Sequence, residues 1–328
     1  MRFDGLKFTY SEEHMGIFEA IIQGIVQGLT EFLPVSSSGH LALSQHVLGV
    51  HGNNLFFDVM LHLGTLIAVL AVYFKLVIRL FSAFFSMIGD IFTGKFKWSE
   101  LDHDKRLVIM LVIGLLPLFL LFIPIPGTGM NLKDIAENWA NSGNILIVGI
   151  SLLVTSGLLT LGVSANERTA KRHLEKRNGK SGPVGRREFN PVDSICVGLV
   201  QCAAAIFPGL SRSGSTLSIG LLRGINKQTA LDYSFILGIP SILAAAVLEF
   251  KDAIEMNSID VEVLPVVIGM IVSAVVGFLA IKLFKWLLAT DKMSVFIWYT
   301  LILGIATVVI YFVEHSKGIN LFTGMPLS

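Results

Sequence analysis

Residues 24–40, GIVQGLTEFLPVSSSGH, return in altered form 174 residues later as residues 198–214, GLVQCAAAIFPGLSRSG. The register continues without a gap to Gly64 and Gly238, with eleven identities in 41 aligned positions. Shared Gln, Pro, Ser, Asp and Gly at fixed spacing indicate an internal duplication rather than a chance likeness of two apolar segments. We therefore expect the functional site where the two copies meet.

The composition predicts a membrane protein. Of the 328 residues, 53% are hydrophobic and only 15% are charged, which is more apolar surface than one soluble core can bury. Each spanning helix needs roughly 20 apolar residues to cross about 30 Å of hydrocarbon. Six apolar runs approach that length, at about 57–80, 106–124, 144–163, 231–249, 263–288 and 294–313.

Four shorter apolar pieces occur in two pairs, 17–33 with 41–49 and 192–207 with 215–223. A segment rich in Pro, Gly and Ser interrupts each pair. Such a break frees backbone groups that lipid cannot satisfy, and the pieces are too short to span comfortably. We interpret both pairs as re-entrant hairpins that enter the membrane and return to the same side.

The predicted fold class is an all-α integral membrane protein, an inverted-topology repeat with six transmembrane helices and two re-entrant helical hairpins. A hairpin followed by three spanning helices separates corresponding points of the two copies by an odd number of crossings, so the copies are inverted. We expect a single membrane domain over 1–328, with a first repeat at 16–163, a basic cytoplasmic loop at 164–190 and a second, inverted repeat at 191–313.

The distribution of basic residues orients this topology. With the 164–190 loop in the cytoplasm, 19 of the 25 Lys and Arg lie on that side and five lie outside. This asymmetry follows the positive-inside rule. We expect a multi-pass protein of the plasma (inner) membrane with both termini and the site facing outside. Arg212 is the one basic residue that this topology places at depth.

Polar residues form a stripe on the first hairpin. Glu19, Gln23, Gln27 and Glu31 recur every four residues, which places them along one side of a helix. A polar packing seam would explain Gln23, and solvent would accommodate Glu19. Glu31 lies deep beside the break, where a carboxylate is costly enough to indicate function. Gln27, one turn earlier, can form hydrogen bonds but supplies no charge.

The first break offers an anion site with reactive groups beside it. Ser36, Ser37, Ser38 and His40 supply three hydroxyls and an imidazole at the start of a short helix, where backbone N–H groups are unpaired. These groups suit nucleophilic attack and proton transfer. Helix capping is the structural alternative, because serine commonly caps helices.

The second break adds a cation. Ser211, Arg212, Ser213 and Thr216 combine a guanidinium with hydroxyls at another helix start. The fork of donors on Arg212 suits phosphate oxygens, so we expect an anion-binding role. A structural ion pair with Glu31 is the alternative.

Other polar positions give weaker evidence of a functional role. Asp58 and His62 lie one turn apart, and Asp58 aligns with Asp232, but capping and interfacial solvation explain them as well as function does. We expect Cys196 and Cys202 to be packing residues, because their spacing suits neither a metal site nor an evident disulfide.

Residues 27–40 (QGLTEFLPVSSSGH) and 208–216 (PGLSRSGST) carry a family resemblance. They resemble the two signatures of the BacA-type undecaprenyl-diphosphatase, or bacitracin-resistance, family: (Glu or Gln)-x-x-x-Glu and Pro-Gly-x-Ser-Arg-Ser-x-x-Thr. The resemblance covers most of the membrane part but not the first fifteen residues, the 164–190 loop or the C-terminal tail.

The resemblance implies an enzyme that hydrolyses undecaprenyl diphosphate to undecaprenyl phosphate and phosphate, which recycles the cell-wall lipid carrier. It implies a dependence on Mg²⁺ or Ca²⁺. Many members have Glu in place of Gln27, so the metal would rest on Glu31 and the substrate phosphates. We predict as catalytic Glu31, Ser37, His40 and Arg212, and as substrate-binding Gln27, Ser36, Ser38, Ser211, Ser213 and Thr216.

The mechanism predicted from these residues has Arg212 holding the diphosphate while Ser37 attacks the terminal phosphorus. His40 would be the base for Ser37 or the acid for the departing group, and direct attack by water is the competing version.

A secondary transporter or flippase for an anionic or lipid-phosphate substrate is the alternative function, because inverted repeats with broken helices are typical of transporters. The expected partners are the polyprenyl diphosphate lipid and membrane lipids, with no nucleic acid. A homodimer is left open.

Overall fold

The computed structural model describes residues 16–48, 55–98, 101–176, 184–255 and 262–326. Within these ranges the chain forms helices and no β-strand. The expectations for residues 1–15 and for 177–183 of the basic loop lie outside the described residues. The helices are α1 (Ile17–Phe32), α2 (Ser37–Leu48), α3 (Leu55–Phe92), α4 (His103–Leu115), α5 (Leu132–Asn141), α6 (Ile145–Lys176), α7 (Pro191–Ile206), α8 (Arg212–Leu222), α9 (Lys227–Glu255), α10 (Val263–Ala289) and α11 (Ser294–Lys317), with a 3₁₀ segment (Leu116–Phe122) continuing α4.

The all-helical class and the number of spanning helices are confirmed. Six helices among the described residues are long and apolar enough to cross a membrane. They are α3, α4 with its 3₁₀ extension, α6, α9, α10 and α11, and each covers one of the six predicted apolar runs to within two residues. The cysteines Cys196 and Cys202 are free, the second of them buried.

Two helical segments differ from the sequence prediction. Helix α6 continues to Lys176, so residues 164–176, predicted as part of a loop, are helical. This polar stretch is rich in Ala, Glu, Arg and Lys, which favour the helix without an apolar face. Helix α5 was not predicted; a capping box between Asn131 and Asp134 starts it.

The two breaks form for the same local reason. Proline disfavours the helical conformation in the residue before it. Leu33, before Pro34, is extended with ψ 146°, and Phe207, before Pro208, is extended with ψ 104°. Helices α1 and α7 therefore end here, and a few residues later α2 and α8 begin.

An aromatic cluster holds the end of α1 against the core. The ring of Phe32 meets that of Phe235 edge to face, with centroids 5.4 Å apart. Phe235 in turn contacts Tyr73 and Phe284. Such pairs contribute about 0.5–1.5 kcal/mol beyond the area that they bury. The cluster positions Glu31, the neighbour of Phe32, against helices α3 and α9.

Candidate active site

A buried ion pair joins the two breaks. Arg212 Nη2 donates to Glu31 Oε1 at 2.6 Å, across 181 residues of sequence. Glu31, on the last turn of α1, is only 8% exposed. Arg212 is the first residue of α8, which Ser211 caps by accepting from the backbone N–H of Gly214 at 3.1 Å. The pair expected as the structural alternative is thus present.

The absence of a side chain at Gly238 makes room for Arg212. Gly238 lies on α9, and a Cβ placed there would overlap Nη1 of the guanidinium. Gly238 aligns with Gly64 in the internal repeat. Packing against a bare backbone therefore sets where the guanidinium lies.

The second carboxylate oxygen of Glu31, Oε2, accepts two more hydrogen bonds. Ser37 Oγ donates to Oε2 at 2.6 Å, and Gln27 Nε2 donates to it at 3.1 Å. His62 Nε2 lies 3.9 Å from the same oxygen. The structure thus brings together Glu31, Gln27, Ser37 and Arg212 as the sequence predicted, and adds His62, which the sequence ranked among the weaker positions.

The other two serines of the first break hold the backbone. Ser36 adopts φ 75°, and its hydroxyl accepts from the N–H of Gly39 at 3.2 Å. Ser38 Oγ accepts from the N–H of Gly209 at 3.3 Å, which ties the first break to the second. The Ser36 contact is that of the capping alternative, whereas the Ser38 contact joins the two breaks.

The hydroxyls of the second break also face protein. Ser213 Oγ donates to the carbonyl of Leu33 at 3.1 Å, and Thr216 Oγ1 lies 2.5 Å from Ser234 Oγ. Ser211, Ser213 and Thr216 are buried beside Arg212. The sequence predicted that these three residues bind substrate. In the structure their hydroxyls form hydrogen bonds within the protein that support α8 and the first break.

The side chains of His40 and Ser37 form no hydrogen bond with each other. Its Nδ1 lies 2.7 Å from the carbonyl oxygen of Ser36, and its Nε2 lies 2.6 Å from the hydroxyl of Tyr299 on α11. Ser37 instead donates to Glu31. The predicted pairing of Ser37 with His40 as its base is therefore replaced by two separate pairs, Ser37 with Glu31 and His40 with Tyr299.

Sequence reasoning missed Tyr299 and Thr155. Thr155 Oγ1, on α6, accepts from the N–H of Ser211 at 3.1 Å and so supports the start of α8. Both residues lie inside spanning runs, far along the chain from the breaks. The only signal in the sequence is a polar group within an apolar run, which many packing residues share.

Two buried polar atoms at the site lack a hydrogen-bond partner among the described residues, Arg212 Nη1 and Gln27 Oε1. Most buried polar atoms in proteins are paired, so an unpaired donor and an unpaired acceptor on two residues that both bind Glu31 need an explanation. The donor can bind an anion. The acceptor, beside Glu31, can bind a donor or a hard cation.

The described residues contain no cluster of three His, Cys, Asp or Glu able to hold a metal alone. Mg²⁺ commonly binds through one or two carboxylates together with substrate phosphates. Glu31 and the free amide oxygen of Gln27 fit that pattern of incomplete protein ligation.

Comparisons with known proteins find relatives along most of the chain. A family model described as bacitracin resistance protein BacA matches residues 20–306. A protein named undecaprenyl-diphosphatase from Alkaliphilus metalliredigens is 38% identical over 291 residues, which cover 88% of this chain and 97% of the relative. Relatives with the same name from Methanobrevibacter smithii (40% over 292 residues; 89% and 96% covered) and Bacteroides fragilis strain YCH46 (36% over 296 residues; 89% and 97% covered) are similar.

Proposed function

The chain belongs to the bacitracin resistance protein BacA family, and from this we propose that it hydrolyses undecaprenyl diphosphate to undecaprenyl phosphate and phosphate. Relatives named undecaprenyl-diphosphatase align with about nine-tenths of it. The reaction would recycle the lipid carrier of the cell wall. The observation that carries the proposal is the unpaired Nη1 of Arg212 beside the Ser37–Glu31 hydrogen bond.

Arg212 binds the diphosphate in this proposal. Its Nη1 has no hydrogen-bond partner among the described residues, and phosphate oxygens can also displace Glu31 from Nη2. Two donors in a fixed fork match a phosphate and stabilise the charge that develops as the bond breaks. Loss of the ion pair would leave Glu31 free to accept a proton.

Ser37 is the proposed nucleophile and Glu31 its base. Ser37 Oγ forms a bond to the terminal phosphorus as the bond from that phosphorus to the bridging oxygen breaks, and the hydroxyl proton passes to Glu31 Oε2. Undecaprenyl phosphate leaves with the bridging oxygen. Water then releases phosphate from Ser37. Direct attack by water is the competing version.

Glu31 and Gln27 Oε1 would hold the Mg²⁺ or Ca²⁺ that the family resemblance implies. A divalent cation there supplies charge neutralisation to the substrate phosphates. Gln27 contributes a neutral oxygen where many members have a carboxylate, so the substrate supplies the remaining negative ligands. Ser36, Ser38, Ser211, Ser213 and Thr216 keep the two breaks in position.

Two re-entrant hairpins, α1–α2 and α7–α8, lie in inverted repeats in this proposal. The packing supports the relation: α1 packs on α10 as α7 packs on α4, while α3 packs on α9 and α6 on α11. The aligned glycines Gly24 and Gly198 meet their partner helices alike, because a Cβ at either would clash with a glycine carbonyl, that of Gly269 or Gly114.

The site and both termini face outside in a plasma (inner) membrane protein in this proposal, because that orientation puts 19 of the 25 basic residues on the cytoplasmic side. The chain is one membrane domain, with repeats at 16–163 and 191–313 joined by the basic segment 164–190. The polyprenyl tail lies among the apolar helices and membrane lipids.

The test is phosphate release by the purified protein in detergent with undecaprenyl diphosphate. We expect one phosphate and one undecaprenyl phosphate per substrate. A secondary transporter or flippase would release none, and that result would reject the proposal.

Replacement of Ser37 separates the two versions of the mechanism. If Ser37 is the nucleophile, Ser37→Ala lowers kcat by at least about 10³-fold, because the covalent route is closed. Ser38→Ala is the matched control, since Ser38 contacts the backbone of Gly209 rather than Glu31. Turnover of Ser37→Ala within tenfold of the unaltered protein would favour direct attack by water.

A further inference from the structure

The hydrogen bonds of His40 show which of its two ring nitrogens carries the hydrogen. Nδ1 lies 2.7 Å from the carbonyl oxygen of Ser36, and a carbonyl can only accept. Nδ1 therefore carries the hydrogen. In the neutral ring, Nε2 then holds the only lone pair and is the only atom of His40 that can accept a proton.

That one basic atom is covered by Tyr299. The phenol hydroxyl lies 2.6 Å from Nε2, so Tyr299 donates to it. The two rings are stacked, with centroids 5.6 Å apart and planes 10° apart. A group on the substrate cannot form a hydrogen bond to Nε2 while this contact persists.

Tyr299 has an open side. Tyr299 is 44% exposed in the protein without its surrounding membrane, on a helix packed against α6. A phenol donates one hydrogen bond and can accept another. While its hydrogen points to His40, its oxygen can accept a hydrogen from water or from a phosphate hydroxyl.

We propose that Tyr299 is a proton-relay residue that connects His40 with the water attacking phosphorus. The inference rests on the proposed phosphatase function. The water O–H bond breaks as its proton passes to the phenol oxygen, and the phenol proton passes to Nε2, which leaves an imidazolium and an intact tyrosine. The water oxygen bonds to phosphorus. The Ser37 oxygen leaves phosphorus and takes back the proton held by Glu31.

The relay divides the two proton transfers between two pairs. Glu31 accepts the proton of the Ser37 hydroxyl, and His40 accepts the proton of water through Tyr299. This division accounts for the absence of a hydrogen bond between Ser37 and His40. In the version without a covalent intermediate, the same relay serves the attacking water. The imidazolium returns its proton along the same route to the released phosphate.

The test is Tyr299→Phe, which keeps the stacked ring and removes only the hydroxyl. General base catalysis contributes about 10²–10⁴-fold, so we expect kcat to fall by about 10²-fold. KM stays within about twofold, because substrate binding rests on Arg212. A purely structural hydroxyl would change the melting temperature instead, and we expect it unchanged.

Tyr311→Phe is the matched control. Tyr311 lies on the same helix and stacks on His315 with centroids 5.7 Å apart and planes 14° apart. The same deletion there leaves kcat within twofold of the unaltered protein.

A double variant separates a relay from two independent effects. If His40 acts through Tyr299, adding Tyr299→Phe to His40→Ala lowers kcat no further. The relay is overturned if the losses in kcat of the two single variants multiply in the double variant. It is also overturned if Tyr299→Phe keeps an unaltered kcat while His40→Ala is inactive. Either result leaves the phosphatase function standing. Full activity of His40→Ala overturns the relay together with the role of His40. Absence of phosphate release by the unaltered protein rejects the function itself.

Discussion

In the part of the chain that the structure describes, two buried carboxylates are held by arginine, and they differ in how completely they are paired. Asp193, fully buried on α7, accepts four hydrogen bonds: two from Arg186, one from Arg223 Nε and one from the N–H of Asn190. Four is about the capacity of a carboxylate. Glu31 accepts three, and its neighbours Arg212 Nη1 and Gln27 Oε1 remain unpaired.

The difference separates a structural cluster from a reactive one. The Asp193 cluster ties the start of α7 to Arg186 before it and Arg223 after α8, and its four hydrogen bonds leave neither oxygen of Asp193 open to a ligand. The Glu31 cluster places a hydroxyl, a carboxylate and a free guanidinium donor together. Buried polar atoms left unpaired cost stability, so their retention indicates a role when a ligand arrives.

The distinction between the two clusters would be wrong if Arg212 and Arg223 mattered equally to activity. Arg212→Ala removes the phosphate-binding fork, and we expect kcat/KM to fall by about 10³-fold or more. Arg223→Ala makes the same change in the Asp193 cluster, where Arg186 still holds the carboxylate. Its kcat/KM, measured by phosphate release, stays within about threefold. Equal losses would show that the fully paired cluster also serves the reaction.

A smaller effect is expected when Arg212 is displaced but kept. Gly238→Ala inserts a methyl group into the space of the guanidinium, whose flexible end can shift. Because a misplacement of about 1 Å can cost about 10²-fold, we expect kcat to fall by about that factor while the melting temperature changes little.

Gly157→Ala is the control for that change, since a Cβ on this α6 glycine meets no atom within 4 Å. Both variants are compared by phosphate release and thermal unfolding. An unaltered kcat in Gly238→Ala would show that the position of the guanidinium is not critical.

Changing the carboxylate of the other cluster affects stability rather than turnover. Asp193→Asn leaves two arginines without their anion, and breaking a buried pair costs about 3–5 kcal/mol. The arginines are more than a third exposed, so solvent screens them and we expect about 2 kcal/mol. The melting temperature falls, while kcat of the folded protein stays within twofold. A drop in kcat at unchanged melting temperature would contradict this.

Acid should weaken the Asp193 cluster slightly. Burial by itself raises the pKa of the Asp193 carboxyl, but hydrogen bonds from Arg186, Asn190 and Arg223 outweigh it and hold the pKa below the ordinary value. Its stabilisation is therefore complete above the unfolded-state pKa of about 3.9 and is lost as the pH falls through the lower folded-state value. Melting temperatures between pH 6 and pH 3 should converge for the unaltered protein and Asp193→Asn.

Local chemistry made much of the fold predictable. The extended conformations of Leu33 and Phe207 follow from the prolines next to them. The six spanning helices follow from apolar length alone. Helix α5 was missed because it is short and polar, and the end of α6 because residues 164–176 are helical through propensity rather than through an apolar face.

Part of the site followed by elimination. Arg212 is the one basic residue that the predicted topology places at depth, and a buried cation needs an anion. Glu31 was the carboxylate predicted at similar depth. Their ion pair could therefore be anticipated from sequence, whereas the attachment of Ser37 to Glu31 rather than to His40 could not.

The amino-acid sequence determined the elements of this protein and the chemistry that it carries. A proline break acts on the residues next to it. The apolar runs and the repeat can be recognised from the order of the residues alone. The positions where the repeat diverges, Glu31 against Ala205, Ser38 against Arg212 and His40 against Gly214, already named the reactive groups.

Only the tertiary structure decided which groups meet. The Tyr299–His40 contact spans 259 residues and the Arg212–Glu31 contact spans 181. Each depends on how whole helices pack, down to the missing side chain of Gly238. Packing sums many small contacts over distant segments, so no local pattern of residues encodes these partners.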